Sequence, residues 1–151
     1  MSLKNNHNYS LVEIENLIEV VVYKIVTDVN DAPVLLLAEK GGSRMLPIWI
    51  GDAEAIAISV ALEKKDILRP FAHDLFCRLV EALDGRITMV VVNKLKDNVF
   101  YARIIITQGD KILSLDARPS DAIAIALRSS AQIYVTRDVM DKGGLNDIEP
   151  Q

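Results

Sequence analysis

The segment KILSLDARPSDAIAIALR, residues 111–128, constrains the fold of this chain more than any other part of its sequence. Residues 111–116 predict a β-strand, and a turn containing Pro119 separates that strand from an Ala/Ile-rich run. Residues 119–129 predict a helix. Because the AIAIAL part of this helix carries no polar side chain, we expect it to be buried.

Short apolar runs separated by turn residues predict strands along the rest of the chain. Three form a first meander and three a second, followed by one short last strand: residues 17–26, 34–38 and 45–50, then 86–93, 99–107 and 111–116, then 132–135. We predict an α+β fold, in which a mixed or antiparallel sheet from two meanders packs with two or three largely buried helices. We expect a single domain at residues 11–140, a flexible arm at 1–10 and a tail at 141–151.

The other two predicted helices are strongly apolar. Residues 52–65, DAEAIAISVALEKK, have almost no polar face between Ala55 and Leu62. A helix that is apolar all round lies under other elements or in a subunit interface. The next helix, AHDLFCRLVEALDG, has one apolar face, made of Leu75, Phe76, Leu79, Val80 and Leu83.

The charge balance limits the ways in which this chain can bind nucleic acid. Its net charge is −4 over 151 residues, which argues against non-specific binding, because that binding comes from Lys and Arg replacing counterions on phosphates. Any such activity must depend on a few positioned groups. No apolar run approaches the roughly 18 residues of a membrane-spanning helix, and the N-terminus lacks the apolar stretch of a signal peptide. With Cys77 as the only cysteine, we expect a cytoplasmic protein that does not bind membranes.

Four motifs carry a resemblance to a known family. They are LPIWIGDAEAIAI at residues 46–58, RPFAHDLF at 69–76, VFYARI at 99–104 and LDARPSDAIAIALR at 115–128. Together they resemble the bifunctional nuclease domain over about residues 17–140. The resemblance implies an α+β domain with a mixed sheet, usually assembled as a dimer or larger homo-oligomer. It also implies an ability, reported for some members, to degrade RNA and DNA.

The densest polar cluster in an otherwise apolar region is Asp116, Arg118, Ser120 and Asp121. A tight turn between strand and helix can bring the two carboxylates to one site. Two carboxylates with water can bind Mg²⁺ or Mn²⁺, and Arg118 can hold a phosphate oxygen. This interpretation predicts metal-assisted hydrolysis of phosphodiesters, with Asp116 and Asp121 as catalytic residues and metal ligands.

A purely structural interpretation competes for the same residues. Asp121 suits the first turn of a helix through the helix dipole, and Ser120 offers a capping oxygen. Arg118 then pairs with Asp116. The sequence leaves both interpretations open, since it contains no highly specific metal-binding motif.

Two further groups can take part in such chemistry. His73 is the only histidine besides His7 in the arm, and an imidazole can act as general acid or base. Adjacent helical residues do not face each other, so His73 and Asp74 form no dyad, and a polar helix start is the competing interpretation. Arg69 is a candidate phosphate contact, with a surface ion pair as its alternative.

A weak internal repeat adds one more carboxylate. GDAEAIAISVAL follows the third predicted strand as ARPSDAIAIALR follows the sixth, and Glu54 corresponds to Asp121. A shared strand-helix design and chance explain this equally well. If the design is shared, Glu54 faces the same site and becomes a third metal ligand. Otherwise Asp52 and Glu54 are only acidic residues in a first helical turn, where the helix dipole stabilises them.

The aromatic residues and the cysteine allow simpler interpretations. Trp49 and Tyr101 can stack on bases, as single-strand binding requires, but their places in strands favour core packing. Cys77 lies on an apolar helix and is expected to be inert.

Two functions from different classes follow from the sequence. The first is a nuclease acting on RNA or single-stranded DNA with a divalent metal. The second is a non-enzymatic, homo-oligomeric interaction or ligand-binding module, with a dimer favoured. No GxxxxGK[ST], GxGxxG, GxSxG or HExxH motif is present, so no organic cofactor and no nucleoside triphosphate, serine-hydrolase or zinc-protease chemistry is expected.

Overall fold

The computed structural model describes residues 16–146 of the chain. The predicted N-terminal arm at residues 1–10, including His7, lies outside the described residues, and so do the last five residues of the predicted tail.

The chain forms eight strands and four helices in these residues. The elements, in chain order, are β1 (Leu17–Thr27), β2 (Pro33–Glu39), β3 (Arg44–Trp49), α1 (Asp52–Leu62), α2 (Ala72–Ala82), β4 (Arg86–Lys96), β5 (Val99–Gln108), β6 (Lys111–Ala117), α3 (Pro119–Ser129), β7 (Gln132–Thr136), α4 (Arg137–Gly143) and β8 (Leu145–Asn146). This confirms the predicted α+β fold.

Both predicted meanders are confirmed, and each depends on turns that the sequence encodes. The β1–β2 turn is held by Asp28, whose side chain accepts hydrogen bonds from the backbone N–H groups of Asn30 and Ala32. Asp97 and Asn98, with φ values of 52° and 63°, form the turn between β4 and β5. Positive φ at both central residues matches the twist of the flanking strands, and asparagine and aspartate tolerate it well.

One short strand joins the two meanders into a single mixed sheet. The strand order is β6-β5-β4-β7-β1-β2-β3-β8. Strand β7 pairs antiparallel with β1 and parallel with β4. The β4–β7 pair is the parallel contact that makes the sheet mixed, and it needs the crossover through β5, β6 and α3.

Helix α3 is the buried centre of the helical layer. It packs on β4, β5 and β7, and it contacts both α1 and α2. Seven of its residues are buried: Pro119, Ser120, Ala122, Ile123, Ala124, Ile125 and Ala126. The prediction of a buried AIAIAL helix is confirmed.

The two flanking helices are less buried than predicted. In α1 the buried residues are Ala57 and Ile58, whereas Ile56 is exposed. In α2 the apolar face divides in two. Phe76 and Val80 pack on the core, whereas Leu75, Leu79 and Leu83 are 62%, 55% and 57% exposed. The rest of the domain therefore covers only one side of each helix.

A buried arginine fastens the three helices together. Arg128 at the end of α3 donates from Nε to Asp74 Oδ1 in α2, at 3.1 Å, and from Nη2 to the Ala57 carbonyl in α1, at 3.0 Å. Only 7% of its side chain is exposed. Burying a guanidinium is costly unless its donors are satisfied, so these contacts fix the mutual position of α1, α2 and α3. No helix within residues 16–146 is long and apolar enough to cross a membrane.

Candidate active site

The first turns of three helices bring four of the predicted site residues together. Glu54 is the third residue of α1, His73 the second of α2 and Asp121 the third of α3, while Arg118 is the N-cap residue of α3. The positive ends of the helix dipoles favour carboxylates at these positions. The packing of α1 and α2 against α3 thus places all four side chains at one end of the helical layer.

Arg118 bridges the two carboxylates of this cluster. Its Nε donates to Asp121 Oδ2 at 2.8 Å and its Nη2 donates to Asp121 Oδ1 at 3.2 Å. Its Nη1 donates to Glu54 Oε1 at 2.8 Å. These bonds, to Asp121 first and then to Glu54, raise the pKa of the guanidinium further. Because the side chain is 65% exposed, the guanidinium still faces solvent and has further N–H groups to offer.

Asp121 lies between Arg118 and His73. Its Oδ1 atom is 2.9 Å from His73 Nε2. Burial acts to raise the pKa of the Asp121 carboxyl, but the hydrogen bonds from Arg118 and His73 outweigh it and hold the pKa below its usual value. Asp121 is therefore ionised at neutral pH.

The ionisation of Asp121 determines the tautomer of His73. A carboxylate can only accept hydrogen bonds, so His73 Nε2 carries the proton that it donates to Asp121. In the neutral imidazole the other nitrogen, Nδ1, is then an acceptor. With 18% of the His73 side chain exposed, the imidazole is oriented by Asp121 at the edge of the cluster.

A glycine makes room for the Glu54 carboxylate. A Cβ atom at position 51 would meet Oε2 of Glu54. The carboxylate folds back over the start of its own helix, where its own backbone N–H donates to it. That hydrogen bond, followed by the one from Arg118, lowers the pKa of Glu54.

Two predicted site residues do not join this cluster. Asp116 is exposed near the end of β6, and Arg69 is exposed in the segment between α1 and α2. Neither forms an ion pair with another of the described residues. The role of each in catalysis or phosphate binding stays a prediction.

The predicted metal ligands do not fit a divalent cation in this arrangement. Within residues 16–146, no group of three or more His, Cys, Asp and Glu side chains is positioned to hold a metal ion. Mg²⁺ and Mn²⁺ bind oxygen ligands. The carboxylates of Glu54 and Asp121 are instead bound to the guanidinium of Arg118.

Two details of the structural interpretation were wrong. Arg118 pairs with Asp121 and Glu54 and not with Asp116, because an N-cap residue and the third residue of a helix are neighbours one turn apart. Ser120 is not the cap: the N-cap residue is Arg118, and no side-chain hydrogen bond caps α3.

The aromatic residues are more exposed than core packing requires. Trp49 is 59% exposed and Tyr101 38%, so the favoured interpretation of both was wrong. The alternation of side chains along a strand explains the exposure of Trp49, because the core residues Leu46 and Ile48 of β3 point to the opposite side of the sheet. The Tyr101 ring lies 5.2 Å from Lys94 Nζ.

The structure also adds information on Cys77 and on a residue that sequence reasoning missed. Burial raises the pKa of the Cys77 thiol, in agreement with an inert packing role.

Arg128 was not identified from the sequence. The available signal was a single charge after the uncharged AIAIAL run, but its partners Asp74 and Ala57 are 54 and 71 residues away in sequence.

Fold and site together define a class of protein: an α+β domain with one mixed sheet, whose buried helix begins with an aspartate that contacts both an arginine and a histidine. The family model described as the bifunctional nuclease domain matches residues 34–147 of the chain. The chain belongs to the bifunctional nuclease domain family.

Known proteins resemble most of this chain. An uncharacterized protein of Mycobacterium tuberculosis (strain ATCC 25618 / H37Rv) is 42% identical over 116 residues, which are 77% of this chain and 69% of that protein. Bifunctional nuclease 1 of Oryza sativa subsp. japonica is 28% identical over 120 residues, or 78% of this chain and 36% of the relative. Bifunctional nuclease 1 of Arabidopsis thaliana is 26% identical over 119 residues, or 77% and 37%. The chain thus matches little more than a third of the length of these two plant proteins.

Proposed function

We propose that this protein is a nuclease that cleaves phosphodiester bonds in RNA or single-stranded DNA, with His73 transferring the proton. The observation that carries the proposal is the 2.9 Å contact between His73 Nε2 and Asp121 Oδ1, beside an arginine that reaches solvent. Membership in a family named for nuclease activity supports it.

The roles in the proposed reaction follow from the geometry. His73 Nδ1 accepts the proton of the attacking group, which is the 2′-OH in RNA and a water molecule in DNA. As the attacking oxygen forms its bond to phosphorus, the bond between phosphorus and the leaving oxygen of the next nucleotide breaks, and the imidazolium returns its proton to that leaving oxygen. Asp121 is a positioning residue: it fixes the tautomer of His73 and stabilises the imidazolium that forms. The remaining N–H groups of Arg118 contact the phosphate, where negative charge increases in the transition state.

RNA is the better substrate in this proposal. An attacking 2′-OH is already part of the substrate, so its attack is intramolecular, whereas a water molecule must first be positioned. The low overall basicity of the chain agrees with a site that contacts few phosphates, and hence with a weak dependence of binding on salt.

The predicted dependence on Mg²⁺ or Mn²⁺ stays a prediction. A cation at Glu54 and Asp121 would compete with the Arg118 guanidinium, so the proposed reaction contains no step that uses one. Cleavage of RNA is expected to continue in EDTA. If EDTA stops cleavage and Mn²⁺ restores it, the metal assignment replaces the proton-transfer assignment.

The test of the function is cleavage of a fluorescently labelled RNA single strand by protein purified in parallel as wild type, Asp121→Asn and Asp110→Asn. General acid–base catalysis contributes about 10²- to 10⁴-fold, so a loss of this order is expected for Asp121→Asn. Asp110→Asn, which changes an exposed carboxylate in the β5–β6 turn, is the matched control and should cleave as wild type does. Equal cleavage by all three proteins would exclude the proposed site.

One observation favours the second function, a homo-oligomeric interaction module. Leu75 and Leu79 of α2 and Leu83, the C-cap residue of that helix, form an exposed stripe at intervals of four residues. We propose that a second copy of this chain covers the stripe. In an antiparallel contact centred on Leu79, Leu75 of one copy meets Leu83 of the other, so the stripe is self-complementary about a two-fold axis. A dimer of this kind is compatible with the nuclease and does not require it.

A further inference from the structure

A cavity of about 490 Å³ adjoins the candidate active site. It lies between the end of β3, the β4–β5 turn and the start of α3, and Glu54 and Arg118 form part of its wall. Volumes of about 300–1,000 Å³ are typical of small-molecule sites. The cavity can therefore hold one planar ligand group directly beside the arginine of the polar cluster.

The wall of this cavity contains Trp49, which is held in one orientation although it is exposed. Its indole N–H donates to Asp28 Oδ2 at 2.9 Å. Asp28 is itself fixed by the backbone N–H groups of Asn30 and Ala32. The hydrogen bond from Trp49 lowers the pKa of the Asp28 carboxyl, so the contact is charge-assisted. An aromatic ring oriented before binding loses little freedom when a ligand stacks on it.

The remaining wall suits a flat and partly polar ligand. Phe100 and Pro119 supply apolar surface, and Asn98 in the β4–β5 turn lines the same space. A side-chain amide offers both donors and an acceptor. Aromatic surface for the face of a ring, with an amide in the same wall, is the combination that nucleobase recognition uses.

We propose that this cavity is the binding subsite for one unpaired nucleobase, which stacks on Trp49 while the phosphate of the same strand contacts Arg118. The inference rests on the proposed function for the choice of ligand and extends it to the selection of substrate. A base within a duplex is stacked and paired, so it cannot enter. The subsite therefore selects single-stranded nucleic acid. Stacking of the base on Trp49 also supplies binding affinity that a chain of net charge −4 does not obtain from contacts with phosphates.

Trp49 is the only tryptophan of the chain, so its fluorescence reports on this cavity alone. The probe is a short single strand of 2′-O-methyl RNA, which lacks the free 2′-OH and separates binding from cleavage. Titration is expected to quench Trp49 fluorescence. The same strand annealed to its complement, and an abasic strand with the same number of phosphates, should quench at least about tenfold more weakly. Equal quenching by the abasic strand, or none by the intact strand, would overturn the subsite.

Variants give a second measurement, by fluorescence anisotropy of a labelled strand. Trp49→Leu should bind about tenfold to hundredfold more weakly, since stacking of a base on an aromatic ring contributes that factor. Trp49→Phe keeps an aromatic ring and should retain most of the affinity for the strand. If Trp49→Leu does not fold, Trp49→Phe is compared with wild type instead. Tyr101→Leu, an exposed aromatic outside the cavity, is the matched control. Equal binding by Trp49→Leu and Tyr101→Leu would contradict the proposal.

The two proposals fail separately. If Asp121→Asn cleaves normally but strands still quench Trp49, the nuclease mechanism is wrong and the base subsite remains. If cleavage depends on His73 but Trp49 does not respond to the strand, the subsite is wrong and the nuclease mechanism remains.

Discussion

His73 Nε2 lies 2.9 Å from Asp121 Oδ1, although 48 residues separate them in sequence. The contact joins the first turn of α2 to the first turn of the buried helix α3. The contact depends on the packing of α2 against α3. The hydrogen bond from Arg128 in α3 to Asp74 in α2 is a second link between the same two helices. A histidine oriented by a carboxylate, next to an exposed arginine, is the arrangement from which the proposed function follows.

The ion-paired state of Asp121 predicts how stability depends on pH. Its carboxyl has a pKa below the usual value in the folded protein, so its contribution to stability is complete above the unfolded-state pKa of about 3.9. That contribution is lost as the pH falls through the folded-state value. Asp121→Asn should therefore be less stable than wild type at neutral pH, and the difference should shrink below about pH 4.

Urea unfolding followed by circular dichroism at a series of pH values measures this effect. Asp116→Asn, which changes an exposed carboxylate outside the cluster, is the control and should keep nearly the wild-type free energy of unfolding at neutral pH. A difference between Asp121→Asn and wild type that stays constant into the acid range would show that the ion pairs of Asp121 do not stabilise the fold.

The buried arginine predicts a large loss of stability on truncation. Arg128→Ala leaves Asp74 without its buried ion-pair partner and removes the side-chain hydrogen bond to the Ala57 carbonyl. Breaking a buried ion pair in this way costs about 3 kcal/mol or more. Lys142→Ala removes one member of an exposed i,i+4 ion pair and should change the unfolding free energy by less than about 0.5 kcal/mol. Similar urea midpoints for the two variants would show that Arg128 does not fasten the helices.

The exposed leucine stripe predicts a homodimer that a single charged substitution in the stripe disrupts. Leu79→Glu places a carboxylate at the centre of the proposed two-fold contact, where a second copy would bury it at high cost. Light scattering coupled to size exclusion should give a dimer mass for wild type and a monomer mass for the variant. Val29→Glu, at a position 99% exposed in the β1–β2 turn, should remain dimeric. A monomeric wild type would rule out this interface.

The elements of the fold could be predicted from the sequence, but their arrangement only in part. Turn residues and short apolar runs were enough for both meanders, since neighbouring antiparallel strands are encoded locally. The five-residue β7 lies between β4 and β1. This position depends on where α3, which precedes β7, ends relative to the sheet, and the sequence does not show that. The apolar character of α1 and α2 predicted burial, yet a pattern cannot tell whether the protomer or a partner covers each face.

The site shows the same division between local and distant information. The repeat that relates Glu54 to Asp121 has a structural counterpart: each is the third residue of an 11-residue helix, and both bind Arg118. The sequence shows these two acids but not the arginine that the packing places between them, and the metal site predicted from the two acids stays a prediction. The partner of His73 lies in another helix, beyond the reach of any local spacing rule.

The most direct test of the role of His73 is the rate of RNA cleavage by His73→Gln, measured beside wild type. Glutamine can keep an amide N–H near the position of Nε2 and so retain the contact with Asp121, but it cannot accept and release a proton. His73→Gln is therefore expected to cleave about 10²-fold or more slowly than wild type. A variant that keeps the wild-type rate would contradict the assignment of His73 as the proton-transfer group.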